Sequence, residues 1–327
     1  MIVGVSPAIR RALVLAERYA RTRLSVLVVG ATGTGKEVFA RHIHERSGRP
    51  GPLVDVNCCA LPRDMIESLF FGHRRGAFTG AVETSVGYVE RSDGGTLFLD
   101  ELGSLVPEAQ GKLLRVLETG EVQPLGAATK RRVDLRVVSA VQEGIGSALE
   151  SGHFRRDLYQ RVAGVVIELP PLAARLEDVV PLAEHFAGLQ GRRLEGDVEQ
   201  VLLAYSWPGN VRELRLAIER AGALVEDGTL PRSVVVEAIK LGRSREDLPT
   251  PQPVTREAGR ELLDLCTAHQ WEGQRIAAML GVHRATLHRR LRALGVSLRE
   301  MKMSRVVARR SRDIVQHGDP GAAAAMS

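Results

Sequence analysis

The sequence predicts an α/β fold in which helices cover a mostly parallel sheet, followed by helical regions. Four short apolar runs, each bounded by Gly, Pro or polar residues, are typical of buried strands: LSVLVVG, PLVDVN, GGTLFLDE and LRVVSAV. Helical patterns such as KEVFARHIHERS and EAQGKLLRVLETG lie between several of these runs. Strands that alternate with helices indicate a parallel sheet.

The pattern changes after Pro170 and Pro171, where three helical segments follow one another without a convincing strand. The segment GRSREDLPTPQPVT holds several prolines and charges and predicts a linker. The predicted organisation is an α/β domain over 1–170, a helical subdomain over 171–241, a linker over 242–257, a second helical domain over 258–296 and a basic, then low-complexity, tail over 297–327.

Composition limits the class of protein. The chain has 327 residues, 44% hydrophobic residues, a formal net charge of +6 and a pI of about 9.6, so it can form large cores and has a basic balance that suggests a polyanion partner. Its three cysteines lack a metal-binding spacing, and its N-terminus lacks a signal peptide. With no apolar run near the ~20 residues of a membrane span, we expect a reduced cytoplasmic protein without a membrane partner.

A glycine-rich loop follows the first predicted strand and precedes a helix. GATGTGKE has the G-x-x-x-x-G-K spacing of a phosphate-binding loop, in which backbone N–H groups and a lysine surround phosphate oxygens. Glu37 replaces the usual Ser or Thr, so a direct hydroxyl contact to magnesium is absent. The predicted cofactors are ATP and Mg²⁺, and the nucleotide-binding residues are Gly30, Ala31, Thr32, Gly33, Thr34, Gly35, Lys36 and Glu37.

Two acidic residues end the strand GGTLFLDE, at the edge of the sheet where ligands bind in such folds. Asp100 is expected to hold magnesium through water, and Glu101 to orient and activate the attacking water. The alternative, ordinary surface charge, is disfavoured by the phosphate-binding loop upstream. Asn57 also ends a strand and is placed to hydrogen-bond a catalytic carboxylate.

Two further features leave their roles open. In FRRDLYQRV, Arg155 and Arg161 are spaced to reach a shared interface, although a solvated helix face is the preferred interpretation from these residues alone. In RRGAFTGAVE, Phe78 and Thr79 lie between flexible glycines, where an apolar side chain has no obvious core to enter.

Together these motifs resemble the AAA+ activators of sigma-54 RNA polymerase, the NtrC-like enhancer-binding proteins. The resemblance covers residues 1 to about 295. GAFTGA is its most specific motif, and GATGTGKE, GGTLFLDE, FRRDLYQRV, LPPL and WPGNVREL support it.

The resemblance implies a role for each matching position. Lys36 and its loop correspond to Walker A, and Asp100 and Glu101 to Walker B. Asn57 matches the residue that restrains the Walker B glutamate, and Arg212 the sensor II arginine of a helical lid. Arg155 and Arg161 match arginine fingers, which imply a ring, usually a hexamer. The implied sigma-54-binding residues are Gly76, Ala77, Phe78, Thr79, Gly80 and Ala81.

Several positions depart from the family pattern. Leu69 replaces an acid, Arg74 stands where Glu is common, and Ala173 and Ala174 replace an Arg-Glu pair. Ala140-Val141-Gln142 replaces the usual A-T-N of sensor I. Because that polar group communicates with the γ-phosphate, slower hydrolysis or altered coupling is expected.

Near the C-terminus, WEGQRIAAMLGVHRATLHRRLRALGV predicts two amphipathic helices joined at Gly281. The N-terminal half of the second helix would read bases in the major groove. The segment resembles a Fis-type helix-turn-helix, which works as a dimer; a basic hairpin without a DNA role is the alternative. The predicted DNA-binding residues are His283, Arg284, Thr286, His288 and Arg289.

The sequence therefore predicts an ATP-driven activator that binds enhancer DNA and remodels sigma-54 polymerase into the open complex. Because no receiver or ligand-sensing domain precedes the AAA+ region, control by a partner in trans or by expression level is expected. The rival is a DNA-binding regulator with a degenerate ATPase module. An AAA+ chaperone or helicase fits poorly, since it leaves GAFTGA and the helix-turn-helix unexplained.

Overall fold

The structure is a computed structural model that describes residues 2–142, 144–226 and 228–242, together with positions 266, 267 and 276. The residues described up to Gly242 belong to one compact unit. Apart from those three positions, the predicted helix-turn-helix domain with its five DNA-binding residues lies outside the described residues, as do the tail and the linker beyond Gly242. These parts of the sequence analysis stay predictions.

Five parallel strands form the central sheet. Their order is β2 (Leu53–Asn57), β3 (Thr96–Asp100), β6 (Arg136–Val141), β1 (Val26–Val29) and β7 (Val165–Glu168), which confirms the predicted parallel α/β fold. The strands are mostly Val and Leu because helices cover both faces. Within the described residues the strands are β1 Val26–Val29, β2 Leu53–Asn57, β3 Thr96–Asp100, β4 Glu121–Val122, β5 Arg131–Arg132, β6 Arg136–Val141, β7 Val165–Glu168, β8 Arg193–Leu194 and β9 Thr229–Leu230.

The helices alternate with these strands as the sequence predicts. Within the described residues they are α1 Pro7–Ala20, α2 Lys36–Ser47, α3 Ile66–Phe71, α4 Tyr88–Arg91, α5 Pro107–Thr119, α6 Ile145–Glu150, α7 Arg156–Val162, α8 Val179–Gly188, α9 Val198–Ala204, α10 Asn210–Ala223 and α11 Arg232–Leu241.

Two hydrophobic cores lie on opposite faces of the sheet. Alternate residues of β1 separate them, because Val26 and Val28 face α1 and α2 whereas Leu27 faces the layer that contains α3, α5 and α7. Ser6 begins α1 by accepting a hydrogen bond from the Ile9 amide, ahead of proline at the first helical position. Strands buried on both faces fix the carboxyl edge of the sheet, where the candidate site lies.

The edge strand β7 was not among the four strands predicted from the sequence. It pairs in parallel with β1, and Val26 lies opposite Val165. Ile167 is buried, whereas Val166 is 40% exposed and Glu168 is also exposed. An edge strand with one solvated face lacks the continuous apolar run that identified the central strands.

The helical lid follows the sheet. Its core contains Trp207 and buried residues of α8, α9, α10 and α11. The prediction that this region has no strands was wrong, because β8 and β9 form a short parallel pair. Each has only two residues, too few to show a strand periodicity in sequence. Within the described residues, no helix is long and apolar enough to span a membrane.

Candidate active site

The glycine-rich loop connects β1 to α2 and closes on itself. Lys36 begins α2, and its Nζ donates to the carbonyl oxygens of Gly30 at 2.8 Å and Ala31 at 3.3 Å. The Thr34 hydroxyl also donates to the Ala31 carbonyl, at 2.8 Å. The loop therefore forms a closed turn at the positive end of a twelve-residue helix, which is the geometry of an anion site.

The charge on Lys36 is balanced by nearby acids. The residue is 7% exposed, and burial lowers the pKa of its ammonium group, while the negative charges of Glu101 and Asp100 oppose that shift. Arg212 adds a further lowering effect from the lid. A cation held close to two carboxylates is suited to neutralise phosphate oxygens delivered to the same site.

Asp100 and Glu101 stand where β3 ends. The Glu101 amide donates to Asp100 Oδ1 at 3.0 Å. Burial raises the pKa of Asp100, and the charge of Glu101 raises it further. Glu101 has φ 52° and ψ 43°, a left-handed conformation that a non-glycine residue rarely adopts and that often marks a functional position.

Asn57 lies beside Asp100 in the sheet, but its side chain makes a different contact from the one predicted. Asn57 Oδ1 accepts from the backbone amides of Cys59 at 3.0 Å and Ala60 at 3.3 Å, because it caps the 3₁₀ turn that follows β2. The carboxylate of Glu101 is contacted instead by Gln142, whose Nε2 lies 3.1 Å from each carboxylate oxygen. The sequence analysis had treated Gln142 only as a departure from sensor I.

The two candidate arginine fingers are both hydrogen-bonded within the chain. Arg155 makes a bidentate contact with Asp157: Nε donates to Oδ1 at 3.0 Å and Nη2 donates to Oδ2 at 2.7 Å. This hydrogen bond raises the pKa of Arg155 and lowers that of Asp157. Arg161 donates from Nε and Nη2 to the Leu117 carbonyl near the end of α5. Both guanidinium groups are exposed, so both stay candidates for action across an interface.

The lid contacts the glycine-rich loop through the first turn of α10. The Arg212 amide donates to the Gly33 carbonyl at 3.2 Å, which places this residue beside the nucleotide loop. Asn210, which the sequence analysis missed, donates from Nδ2 to the Thr32 carbonyl at 2.9 Å and accepts from the Leu172 amide at 2.7 Å. Its φ of 55° places it in a left-handed turn, for which the Gly-Asn pair in WPGN was the available signal.

A second missed contact is a buried charged network. Arg175 donates from Nη2 to the Thr34 carbonyl at 2.9 Å, and its Nη1 lies 3.7 Å from Asp178 Oδ2. Asp178 is fully buried and accepts from the Ser6 amide at 2.7 Å and the Ser6 hydroxyl at 2.6 Å. No local pattern in the sequence indicated that this pair supports the nucleotide loop.

An apolar cavity of about 100 Å³ opens beside the glycine-rich loop. Ile2, Val3 and Val38 contribute to one part of its lining, and Phe186 and Val211 contribute from the lid. Thr34 and Gly35 of the loop also line it. An apolar cavity next to an anion site is suited to a planar base that carries phosphates.

The carboxylates are suited to Mg²⁺ only in combination with phosphate. Among the described residues, no group of three His, Cys, Asp or Glu side chains is arranged to hold a metal by itself. Mg²⁺ usually takes one or two carboxylates plus phosphate oxygens and waters. Asp100 fits that role, because its half-buried carboxylate lies near Lys36 and the charges of Glu101 and Glu37. Glu37 itself pairs with Arg41 at 3.2 Å.

The Gly76–Ala81 loop, meaning residues 76–81, is held by its own backbone. The Gly76 amide donates to the Ala81 carbonyl at 2.8 Å, and the Ala81 amide to the Phe78 carbonyl at 3.0 Å. Phe78 is 44% exposed and its ring lies against His73, with 5.1 Å between the ring centroids. Thr79 is exposed, whereas Ala81 is buried, so a direct contact of the Ala81 side chain with a partner does not fit this structure.

Comparison with known proteins decides the family. The profile described as the Sigma-54 interaction domain matches residues 2–168, and the AAA+ ATPase lid domain matches residues 173–251. The chain belongs to the sigma-54-dependent activator family. Its fold is therefore an AAA+ ATPase core with a lid, as the sequence analysis predicted.

Relatives within the sigma-54-dependent activator family are similar over most of the chain. The Nif-specific regulatory protein of Azotobacter vinelandii is 39% identical over 92% of this chain and 60% of its own length. The transcriptional regulator NtrC of Rhizobium meliloti is 35% identical over 91% of this chain and 70% of its own. The crystal structure of Brucella abortus NtrX with ADP is 32% identical, with a TM-score of 0.67 over 90% of this chain and 70% of that one.

Proposed function

We propose that this chain is an ATP-driven activator of sigma-54 RNA polymerase. It binds enhancer DNA, assembles into a ring and uses ATP hydrolysis to convert the closed promoter complex into the open one. The observation that carries the proposal is the pairing of a phosphate-binding loop and an acidic pair with an exposed GAFTGA loop on one compact unit. The chain spans 60% of the length of the Azotobacter regulator. Its role in transcription activation is therefore a proposal that rests on the residues of this chain.

The nucleotide site supplies the parts that phosphoryl transfer to water requires. The loop amides and Lys36 bind the phosphates, and the apolar cavity holds the base. Asp100 would hold Mg²⁺, which neutralises charge on the phosphate oxygens when bound. Glu101 orients the attacking water and accepts its proton. Arg155 and Arg161 act on the ATP of the neighbouring subunit, since arginine at such a site stabilises transition-state charge.

The Gly76–Ala81 loop supplies the contact with sigma-54. Phe78 gives an exposed apolar surface and Thr79 an exposed hydroxyl, and the local backbone bonds hold both without a core. The predicted helix-turn-helix concentrates the activator at enhancer DNA, with a dimer as the form outside the ring. These roles follow the family resemblance at the matching positions.

In vitro transcription with purified sigma-54 polymerase tests the function. Open complexes should form with ATP and fail to form with a non-hydrolysable analogue. Thr79→Ala should retain the wild-type melting temperature and ATPase rate but lose open-complex formation, since Thr79 lies on the exposed loop. Wild-type activation by Thr79→Ala would reject the assigned role of the loop.

A second candidate function is a DNA-binding regulator whose AAA+ module binds ATP without turnover. The observation that favours it is the replacement of the usual sensor I residues by Val141 and Gln142. The ATPase rate of the wild type compared with that of Glu101→Gln separates the two functions. Equal rates would support the second, whereas a clear loss in Glu101→Gln supports the first.

A further inference from the structure

Gln142 and Glu101 meet at the carboxyl ends of neighbouring strands. Gln142 directly follows β6, Glu101 directly follows β3, and these strands pair with Leu99 opposite Ser139. Gln142 Nε2 lies 3.1 Å from both Glu101 oxygens. One amide group that bridges both oxygens restricts the rotation of the carboxylate as well as its position.

The backbone limits Glu101 from the other side. Its left-handed backbone conformation interrupts the extended path of β3, and its amide donates to Asp100 Oδ1 at 3.0 Å. Asn57, on the neighbouring strand β2, uses its side-chain oxygen to cap the turn at Cys59 and Ala60. Among the described contacts, the Glu101 carboxylate is therefore held by Gln142, the residue directly after β6.

The length of the glutamine side chain is essential to this contact. An asparagine at position 142 would be shorter by one carbon–carbon bond, about 1.5 Å. Starting from 3.1 Å, its amide would end beyond the ~3.2 Å limit of an N–H···O hydrogen bond. The residue that departs from the family pattern is thus the one that reaches the carboxylate.

We propose that Gln142 is a positioning residue that orients the Glu101 carboxylate toward the attacking water. This inference rests on the proposed ATPase function and adds a residue to its mechanism. It differs from a sensor role, in which the polar group at position 142 would contact the γ-phosphate and asparagine would serve as well as glutamine. It also differs from an inert surface pair, since many exposed polar contacts contribute nothing measurable.

Three substitutions in the 327-residue chain separate these possibilities. Gln142→Ala removes the amide, Gln142→Asn shortens it, and Gln142→Glu keeps the shape but replaces the donor with a second carboxylate. Gln123→Glu is the matched control, because Gln123 is an exposed glutamine whose Nε2 contacts only the nearby Ala127 carbonyl among the described contacts. Steady-state ATPase assays give kcat and KM for each protein.

We expect Gln142→Ala and Gln142→Asn to lower kcat by about ten-fold, as for loss of one hydrogen bond to a charged group. Gln142→Glu should lower it by about 10², because like charges repel and Glu101 is displaced from its task as general base. KM should change by less than about two-fold, since nucleotide binding does not use this contact. Gln123→Glu should match the wild type.

The double variant Glu101→Gln with Gln142→Ala provides an independent readout. If Gln142 acts through Glu101, single-turnover hydrolysis by the double variant should equal that of Glu101→Gln alone. A merely structural role would lower the rate further or lower the melting temperature of every variant at position 142.

Two failures remain distinguishable. Wild-type turnover no higher than that of Glu101→Gln would overturn the proposed ATPase function and this inference with it. Wild-type turnover well above Glu101→Gln, together with full activity of Gln142→Asn, would overturn only the role of Gln142. A kcat loss in Gln142→Ala that Gln142→Asn restores would likewise overturn it in favour of the sensor role.

Discussion

The glycine-rich loop of residues 30–37, called the nucleotide loop below, and the Gly76–Ala81 loop both contain several glycines, for different physical reasons. A Cβ on Gly33 would lie 2.4 Å from the Gly209 carbonyl oxygen, because the lid packs against this position. A Cβ on Gly76 or Gly80 would meet nothing within 4 Å, although both have positive φ values of 80° and 99°. At Gly33 the lid leaves no room for a side chain, whereas Gly76 and Gly80 are required only by their own backbone conformation.

This difference separates two kinds of requirement. Hydrolysis needs groups held within a fraction of an ångström, so the nucleotide loop is fixed by the lid, by Lys36 and by the Arg175–Asp178 network. Engagement of a partner needs an accessible surface, so Phe78 stays half-exposed on locally bonded backbone. Substitutions should therefore affect stability strongly in the first region and weakly in the second.

The largest expected effect is at Asp178. Asp178→Ala should lower the free energy of unfolding by about 3–5 kcal/mol, because it leaves the buried Arg175 guanidinium without its charged partner. Asp64→Ala, at an exposed position beside the Gly76–Ala81 loop, should change it by less than about 0.5 kcal/mol. Urea or guanidinium unfolding measures both; similar losses in the two variants would remove the contrast between the regions.

The two glycines give a matched pair. Gly76→Ala should cost about 1–2 kcal/mol of stability from its left-handed backbone and leave ADP affinity unchanged. Gly33→Ala has the same backbone cost, and its methyl group also meets the Gly209 carbonyl. We expect it to weaken ADP binding by more than ten-fold, about 1.4 kcal/mol. Titration with a fluorescent ADP analogue checks this, and equal ADP affinity in both variants would contradict it.

Two aromatic residues, one exposed on the Gly76–Ala81 loop and one buried, sharpen the comparison further. Phe78→Ala should cost less than about 1.5 kcal/mol, because its ring is 44% exposed. Phe70→Ala, at a fully buried position, should cost about 3–5 kcal/mol. Chemical denaturation measures the free energy of unfolding of both variants. A loss at Phe78 as large as that at Phe70 would mean that this ring belongs to the core.

The smallest expected effect is a gain in thermal stability when Asp100 is replaced by asparagine. Burial and Glu101 raise the pKa of Asp100, so the folded chain binds this proton more tightly than the unfolded chain does. Stability therefore falls as pH rises from the ordinary aspartate value through the raised one, and the deficit persists at neutral pH. Asp100→Asn should raise the melting temperature at pH 7 by about 1–3 °C.

A pH series of melting temperatures checks the sign of this effect. Below the ordinary aspartate pKa, both the carboxylic acid and the amide are neutral, so the advantage of Asp100→Asn should disappear. Asp64→Asn is the control, because its carboxylate is exposed. An advantage that grows toward acidic pH would show that the sign is wrong.

The features predicted most accurately from the sequence are those that lie within one short segment of the chain. Strands β1, β2, β3 and β6, the glycine-rich loop and the acidic pair each lie in one short segment, so pattern and spacing predicted them. The exposure of Phe78 was also predicted from its glycine-flanked segment. The two-residue strands β8 and β9 and the half-solvated edge strand β7 carry too little periodicity to be recognised.

Contacts between distant segments were not predictable in this way. Gln142 and Glu101 are 41 residues apart, Asn210 and Thr32 are 178 apart, and Ser6 and Asp178 are 172 apart. The spacing rules that identify a helix face or a strand do not apply over such separations. Asn57 shows that a correct position does not fix the contact of a side chain. It lies beside Asp100, as the prediction required, but its side-chain oxygen accepts from a local turn instead.

The bonds from Ser6 to Asp178 and from Arg175 to Thr34, joined by the Arg175–Asp178 ion pair, connect the start of α1 to the nucleotide loop. The contacts run from Val5 and Ser6 through the buried Asp178 carboxylate and the Arg175 guanidinium group to the Thr34 carbonyl of the nucleotide loop. A displacement of the segment that ends at Val5 and Ser6 is therefore expected to disturb the backbone of the nucleotide loop. Nucleotide affinity of Ser6→Ala, which removes the hydroxyl bond to Asp178, would measure this connection.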